Sequence, residues 1–231
     1  MSIFVLVHGA WHGGWCWQRL TPLLRAAGHE VFTPTLTGLG ERAHLARPEV
    51  DLETHIKDVT ALLDMEDLRE VILVGHSYAG FVITGVAARD AARLGHIVYL
   101  DAFVPQDGKS LADSVPGEDR TETYEASVAE GIKPFPPQAF GIMDPHDAHW
   151  VGERLVYQPA RSFTQRLHLT NPPPKLRRSY IEFTDPAMGP FTAMVEALRK
   201  DPAWTVSALA TGHDAMITAP RALAKLLLAA A

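Results

Sequence analysis

The chain carries a single cysteine, Cys16, in 231 residues, so no internal disulfide can form, a pattern that fits a reducing compartment and predicts a cytoplasmic location. Cys16 is expected to pack rather than react. No apolar run approaches 18 residues, which leaves no candidate membrane span, and Ile3-Phe4-Val5-Leu6-Val7 is too short, with no basic residues before it, for a secretory signal. An excess of basic charge is missing too. With 21 Lys and Arg against 27 Asp and Glu, the net charge is −6 and the pI about 6.0, which argues against nucleic acid or anionic membrane as a partner. The one local basic group, Lys175, Arg177 and Arg178, is read as a solvated loop. Internal repeats and low-complexity tracts are absent.

What is present is enough apolar material, 47% of residues, to bury one full core with room for an insertion. The organising stretch is Val71-Ile72-Leu73-Val74-Gly75-His76-Ser77-Tyr78-Ala79-Gly80. Its four leading apolar residues suit a strand buried on both faces, and Phe81, Val82, Gly85, Val86 and Ala88 then recur at helical spacing. The chain must therefore turn sharply at Ser77, a nucleophile elbow that lifts the serine Oγ above the sheet. Position 79 is Ala where the G-x-S-x-G pattern has Gly.

Strands are expected at 3–7, 31–34, 71–75, 96–100, 180–183 and 205–209, with helices at about 16–27, 52–63, after Ser77 to about 93, 191–199 and 220–228. This alternation predicts an α/β fold with a mostly parallel sheet of about six strands, helices on both faces, and ligands bound where the strand C-termini open. Residues 1–104 and 175–231 form the expected core. Between them, residues 105–174 hold Pro116, Pro134, Pro136, Pro137, Pro145, Pro159 and Pro172 to Pro174, and are expected to form an inserted cap. Its Phe135, Phe140, Trp150, Leu155 and Phe163 are candidates to line a pocket or simply to pack the cap.

A serine hydroxyl attacks only when a base takes its proton and a third group orients that base. His213, in the Gly212-His213 turn after the last strand, is the candidate base. Asp101, at the exit of the strand after the elbow strand, and Asp185, 28 residues before His213, are both candidates for the acid, with Asp101 preferred because a strand exit inside a sheet is held more firmly. Asp214 adjoins the base and is expected to face away from it. Backbone N–H groups of Ala10, in the first glycine-rich turn, and of Tyr78 are candidate oxyanion donors. His8 and His76 are read as structural. The His8-x3-His12 spacing resembles a metal site, but no carboxylate joins it nearby in the chain and Cys16 is expected to pack, so neither metal nor cofactor is expected.

The order HGAWHGGW, GHSYAG, YLDAFVP and GHDAM resembles the α/β-hydrolase superfamily, specifically small esterases akin to plant methylesterases and hydroxynitrile lyases, over nearly the whole chain. The resemblance implies ester hydrolysis through an acyl-enzyme at Ser77. In the plant relatives the acid follows the penultimate strand, where alignment places Pro186 beside Asp185; dehalogenase relatives place theirs where Asp101 stands. Hydroxynitrile lyases carry a lysine after the histidine and a threonine in the oxyanion turn, and the Asp214 and Gly9 found here favour the esterase over that alternative. A slow-turnover ligand sensor on the same fold is the other alternative. The expected partner is a small apolar or aromatic ester, met by a pocket of Trp11, Tyr78, Phe103, Trp150, Met188 and Phe191. A homodimer is compatible with the sequence, which does not fix an oligomeric state.

Overall fold

A computed structural model of the protein describes residues 1–115, 120–169 and 175–231. The apolar runs become strands β1 (Ile3–Val7), β2 (Glu30–Phe32), β3 (Val71–His76), β4 (Leu94–Leu100), β5 (Arg177–Phe183) and β6 (Trp204–Leu209). All pair in parallel in one sheet of order β2-β1-β3-β4-β5-β6. Every residue of β3 is buried, as its unbroken apolar character requires of a central strand covered on both sides.

Parallel pairing demands crossovers, supplied first by α1 (Thr21–Ala26), α2 (Leu52–Met65) and α3 (Ala79–Asp90). The chain runs one way from β1 to β2 and the other way from β2 to β3, so right-handed crossovers put α1 on one face and α2 and α3 on the opposite one. The reversal leaves a crevice beyond the C-terminal ends of β1 and β3. That crevice is where the first glycine-rich turn and the elbow both emerge.

Among the described residues, the segment between β4 and β5 holds only short helices: α4 (Leu111–Ser114), α5 (Thr121–Ala126), a 3-10 turn at Pro137–Phe140, α6 (Pro145–Gly152) and α7 (Arg161–Thr164). Helices α4, α5 and α7 pack on one another. After β5 come α8 (Gly189–Leu198), α9 (Ala215–Thr218) and α10 (Pro220–Ala230), the last packed against α1. The prolines at 116 and 172–174 lie outside the described residues. Among the described residues no helix is long and apolar enough to cross a membrane.

Two expectations need correction. The helix predicted over 16–27 is a 3-10 turn at Gly14–Trp17 followed by α1 from Thr21, because Pro22 has no N–H to give to the preceding turn and its ring would meet a carbonyl there. Arg177 and Arg178 are strand rather than loop. They open β5 opposite His96 and Ile97, and the Arg178 guanidinium lies 5.6 Å from the Trp204 ring centre.

Candidate active site

Three non-glycine residues at the strand exits have left-handed backbone: Trp11 (φ 65°) after β1, Ser77 (φ 54°) after β3 and Asp101 (φ 41°) after β4. Such conformations cost of order 1–3 kcal/mol each and persist only where surrounding contacts impose them. Around Ser77 those contacts are its N–H donated to Leu100 O (3.2 Å) and its carbonyl accepting from Phe103 N–H (3.2 Å). The serine is thereby held between β3 and the chain leaving β4.

His213 reaches the same place from the loop after β6. Its Nδ1–H donates to Asp101 Oδ2 at 2.7 Å, while Asp101 Oδ1 accepts from Phe183 N–H at 3.3 Å; both side chains are buried. The imidazole is flanked by Phe140 and Phe191, with ring centres 6.2 and 5.9 Å away, and by His76 at 4.4 Å. Asp185 is brought elsewhere. Its N–H donates to Thr211 O, and the residue is exposed.

Ser77 and His213 line one cavity of about 220 Å³. Ala10, Trp11, Tyr78, Phe103, Met188 and Phe191 line it as well. Trp150 does not. It packs edge-on against Trp15 with ring centres 5.2 Å apart and carries the Arg19 and Arg154 guanidinium groups over its ring, held there by cation–π attraction. From the inserted segment the cavity gains Phe135, Phe140 and Phe163, and also Leu111, Val115, Arg120 and Tyr124, which no sequence pattern singled out. Among the described residues of these walls Arg120 is the one cation; the remainder is largely aromatic.

Neither the Ala10 nor the Tyr78 N–H has a hydrogen-bond partner among the described residues, although both residues are buried. Unpaired buried donors facing a cavity are what an anion site needs. The Tyr78 ring is tied down at its other end, its hydroxyl 2.8 Å from His55 Nδ1, whose Nε2–H donates to Thr37 O at 2.9 Å. Gln158 was not legible in the sequence. It is fully buried, accepts from Trp11 N–H at 3.0 Å and donates to Ser162 Oγ at 2.7 Å, tying the inserted segment to the first turn.

The remaining histidines separate by their partners. His8 donates Nδ1–H to Gly9 O (2.8 Å) and accepts from Leu36 N–H at Nε2 (3.1 Å), so it is neutral, and burial pushes its pKa down to about 3. His76 donates Nε2–H to His213 O at 2.9 Å; burial and then the neighbouring His213 keep it neutral as well. A β-carbon on Gly9 would stand 2.8 Å from His76 Nδ1 and 3.1 Å from Ser77 Cβ, so the turn can pass the serine only without a side chain. The carboxylate missing from the His8-x3-His12 neighbourhood in sequence is supplied by the fold, since Asp214 Oδ2 lies 3.1 Å from His12 Nε2. Among the described residues no group of three or more His, Cys, Asp or Glu side chains is arranged to hold a metal ion.

A parallel sheet of this strand order, with a serine on a left-handed turn after β3 and a histidine after the last strand, defines the α/β-hydrolase class. The chain belongs to the Alpha/beta hydrolase family, whose model matches residues 4–226. It is 42% identical over 244 residues to the carbendazim hydrolyzing esterase of Nocardioides sp. (strain SG-4G), covering 99% of each chain. Pheophorbidase from Raphanus sativus is 34% identical over 131 residues, 55% of this chain and 50% of that protein. Among solved structures, an extracellular α/β-hydrolase from a Paenibacillus species superposes with a TM-score of 0.86 at 27% identity, covering 100% of this chain and 99% of that one. The methylesterase MES16 from Arabidopsis follows at 0.78 and 28%, covering 100% and 98%.

Proposed function

We propose that the protein is a carboxylic ester hydrolase that works through an acyl-enzyme on Ser77. The observation that carries this reading is the 2.7 Å contact between His213 Nδ1 and Asp101 Oδ2 beside a cavity that Ser77 and His213 share. With Nδ1–H committed to the carboxylate, His213 Nε2 is left as an acceptor for the serine proton. Ser77 Oγ attacks the ester carbonyl as Nε2 takes that proton, and the oxyanion is received by the Ala10 and Tyr78 N–H groups. The tetrahedral intermediate collapses by expelling the alcohol, which leaves with the proton from Nε2. Water then attacks the acyl group with His213 again as base, releasing the acid and restoring Ser77.

The apolar, aromatic lining favours small aromatic esters, with residues 105–174 serving as the cap that closes over them. Given the identity to the Nocardioides enzyme across both chains, carbendazim is the first such substrate to assay. Position 9 speaks against the lyase alternative, because a threonine there would drive its β-carbon against His76. The single buried cysteine supports a cytoplasmic site of action.

The test is Ser77→Ala with p-nitrophenyl acetate and with a fluorophosphonate probe read by intact mass. The wild type should take up one probe per chain and turn the ester over; the variant should do neither. Wild-type turnover by the variant would refute the proposal.

A further inference from the structure

We propose that His12 and Asp214 form a buried clamp that sets the oxyanion turn, so that the residue following the base positions the donor opposite it. The inference rests on the ester-hydrolase reading and adds two positioning residues to it.

The geometry starts with two consecutive peptide planes. The plane joining Gly9 to Ala10 carries the Ala10 N–H and is held through Gly9 O by His8 Nδ1–H at 2.8 Å. The next plane, joining Ala10 to Trp11, is held at both ends: Ala10 O accepts from His12 Nδ1–H at 2.7 Å, and Trp11 N–H donates to Gln158 Oε1 at 3.0 Å. Because a peptide is planar, fixing its oxygen and its N–H fixes its rotation, and with it the ψ of Ala10 and the left-handed φ of Trp11. The turn is therefore preset before any substrate arrives.

His12 differs from His8 in what lies behind it. His8 Nε2 accepts from an amide, so one proton suffices. His12 Nε2 faces the Asp214 carboxylate at 3.1 Å, so the ring stands between two acceptors, a carbonyl and a carboxylate, and both nitrogens must carry a proton. Burial works against the His12 cation, yet the charge and hydrogen bond of Asp214 and the Ala10 carbonyl raise its pKa above the ordinary 6.5. Burial likewise opposes the Asp214 anion, and His12, then His76 and His213, outweigh it and hold the carboxyl low. The groups facing the pair are His8, Cys16, His76 and His213, and Asp214 Oδ1 lies 3.9 Å from His76 Nε2 without a hydrogen bond. Asp214 is fully buried and its N–H donates to Phe140 O, so the carboxylate cannot swing away. A buried charge with one strong partner makes that partner's position obligatory.

The experiment compares His12→Asn/Asp214→Asn with His12→Gln/Asp214→Asn. An asparagine amide nitrogen stands near the place of Nδ1 and can still donate to Ala10 O; a glutamine nitrogen stands near Nε2 and cannot. Neither double variant leaves a buried charge. The glutamine form should lose on the order of 100-fold in kcat per probe-labelled site, with KM within about threefold of wild type and a trifluoromethyl ketone bound weaker in parallel, while the asparagine form stays within about tenfold. Equal kcat for the two forms, or a loss confined to KM, would overturn the clamp. In the wild-type protein, nitrogen-15 resonances of His12 should report both ring nitrogens protonated at about pH 6.5, and a ring singly protonated at that pH would overturn it even if the variants do not fold. Turnover by Ser77→Ala would instead sink the esterase reading, whereas an inactive Ser77→Ala beside indifferent double variants removes only the clamp.

Discussion

Replacing Asp101 with Asn tests the mechanism where the two candidate acids diverge. The change preserves size, and the Asn oxygen can keep the Phe183 N–H that Asp101 Oδ1 now accepts at 3.3 Å. Its NH2 then takes the place of Oδ2, 2.7 Å from His213 Nδ1, and a donor there forces Nδ1 to become the acceptor. The ring proton moves to Nε2, the atom that must accept from Ser77. The base is then in the wrong tautomer, and the expected loss is about 10⁴ in kcat, or roughly 5.5 kcal/mol of transition-state stabilisation at about 1.4 kcal/mol per decade. Asp185→Asn should stay within about twofold, because its side chain is exposed and its backbone contact to Thr211 O does not involve the carboxylate. Both variants are assayed with p-nitrophenyl acetate after titrating active sites, which separates lost chemistry from lost folded protein. Asp101→Asn retaining more than about a tenth of wild-type kcat, with Asp185→Asn impaired, would refute the reasoning.

Three further outcomes follow from the same contacts. His8 has its pKa lowered from 6.5 to about 3, so the unfolded chain binds a proton that the folded one refuses; stability is whole above pH 6.5 and falls as pH drops toward 3, by about 1.4 kcal/mol per pH unit from this residue. His55 and His76 act in the same direction and His12 in the opposite one, so His8→Gln should lose about 2 kcal/mol less than wild type between pH 6.5 and 5 in urea unfolding, and equal slopes would contradict the assignment. Gly80→Ala would put a β-carbon 1.9 Å from Phe103 O, a carbonyl whose residue is anchored by the bond from its N–H to Ser77 O, and should lower the urea midpoint by the equivalent of about 3 kcal/mol. Phe135 is 50% exposed and stands edge-on to Trp11 at 5.2 Å, so Phe135→Ala should raise KM for an aromatic ester about three- to tenfold at nearly constant kcat and melting temperature; a fall in kcat instead would place the ring in the chemistry rather than at the rim.

The core and the elbow could be read from the chain because β1 and β3 are buried on both faces, and a continuous apolar run ending at glycine has few other meanings. The start of β5 was hidden because Arg177 and Arg178 read as solvated, while the strand needs only their backbone. Trp150 shows the limit of composition. An aromatic in a proline-rich insertion can face a ligand or stack on its own scaffold, and only the approach of Trp15, Arg19 and Arg154 decides it. The cavity walls from α4 and α5 were missed for the same reason, since Leu111 and Tyr124 carry no periodic signal in helices of four and six residues. Gln158 and Asp214 escaped for another. A buried polar side chain is known by its partners, and theirs lie 147 and 202 residues away in sequence.

Trp11 is sewn to the inserted segment at three points: its N–H to Gln158, its carbonyl from Val156 N–H, and its indole N–H to Ile132 O. Whatever reshapes the inserted segment thus also tugs on the turn that carries Ala10. In this architecture, drift toward a new substrate and preservation of speed are not separately adjustable, and directed retooling of the insertion will succeed most readily where it spares residues 132, 156 and 158.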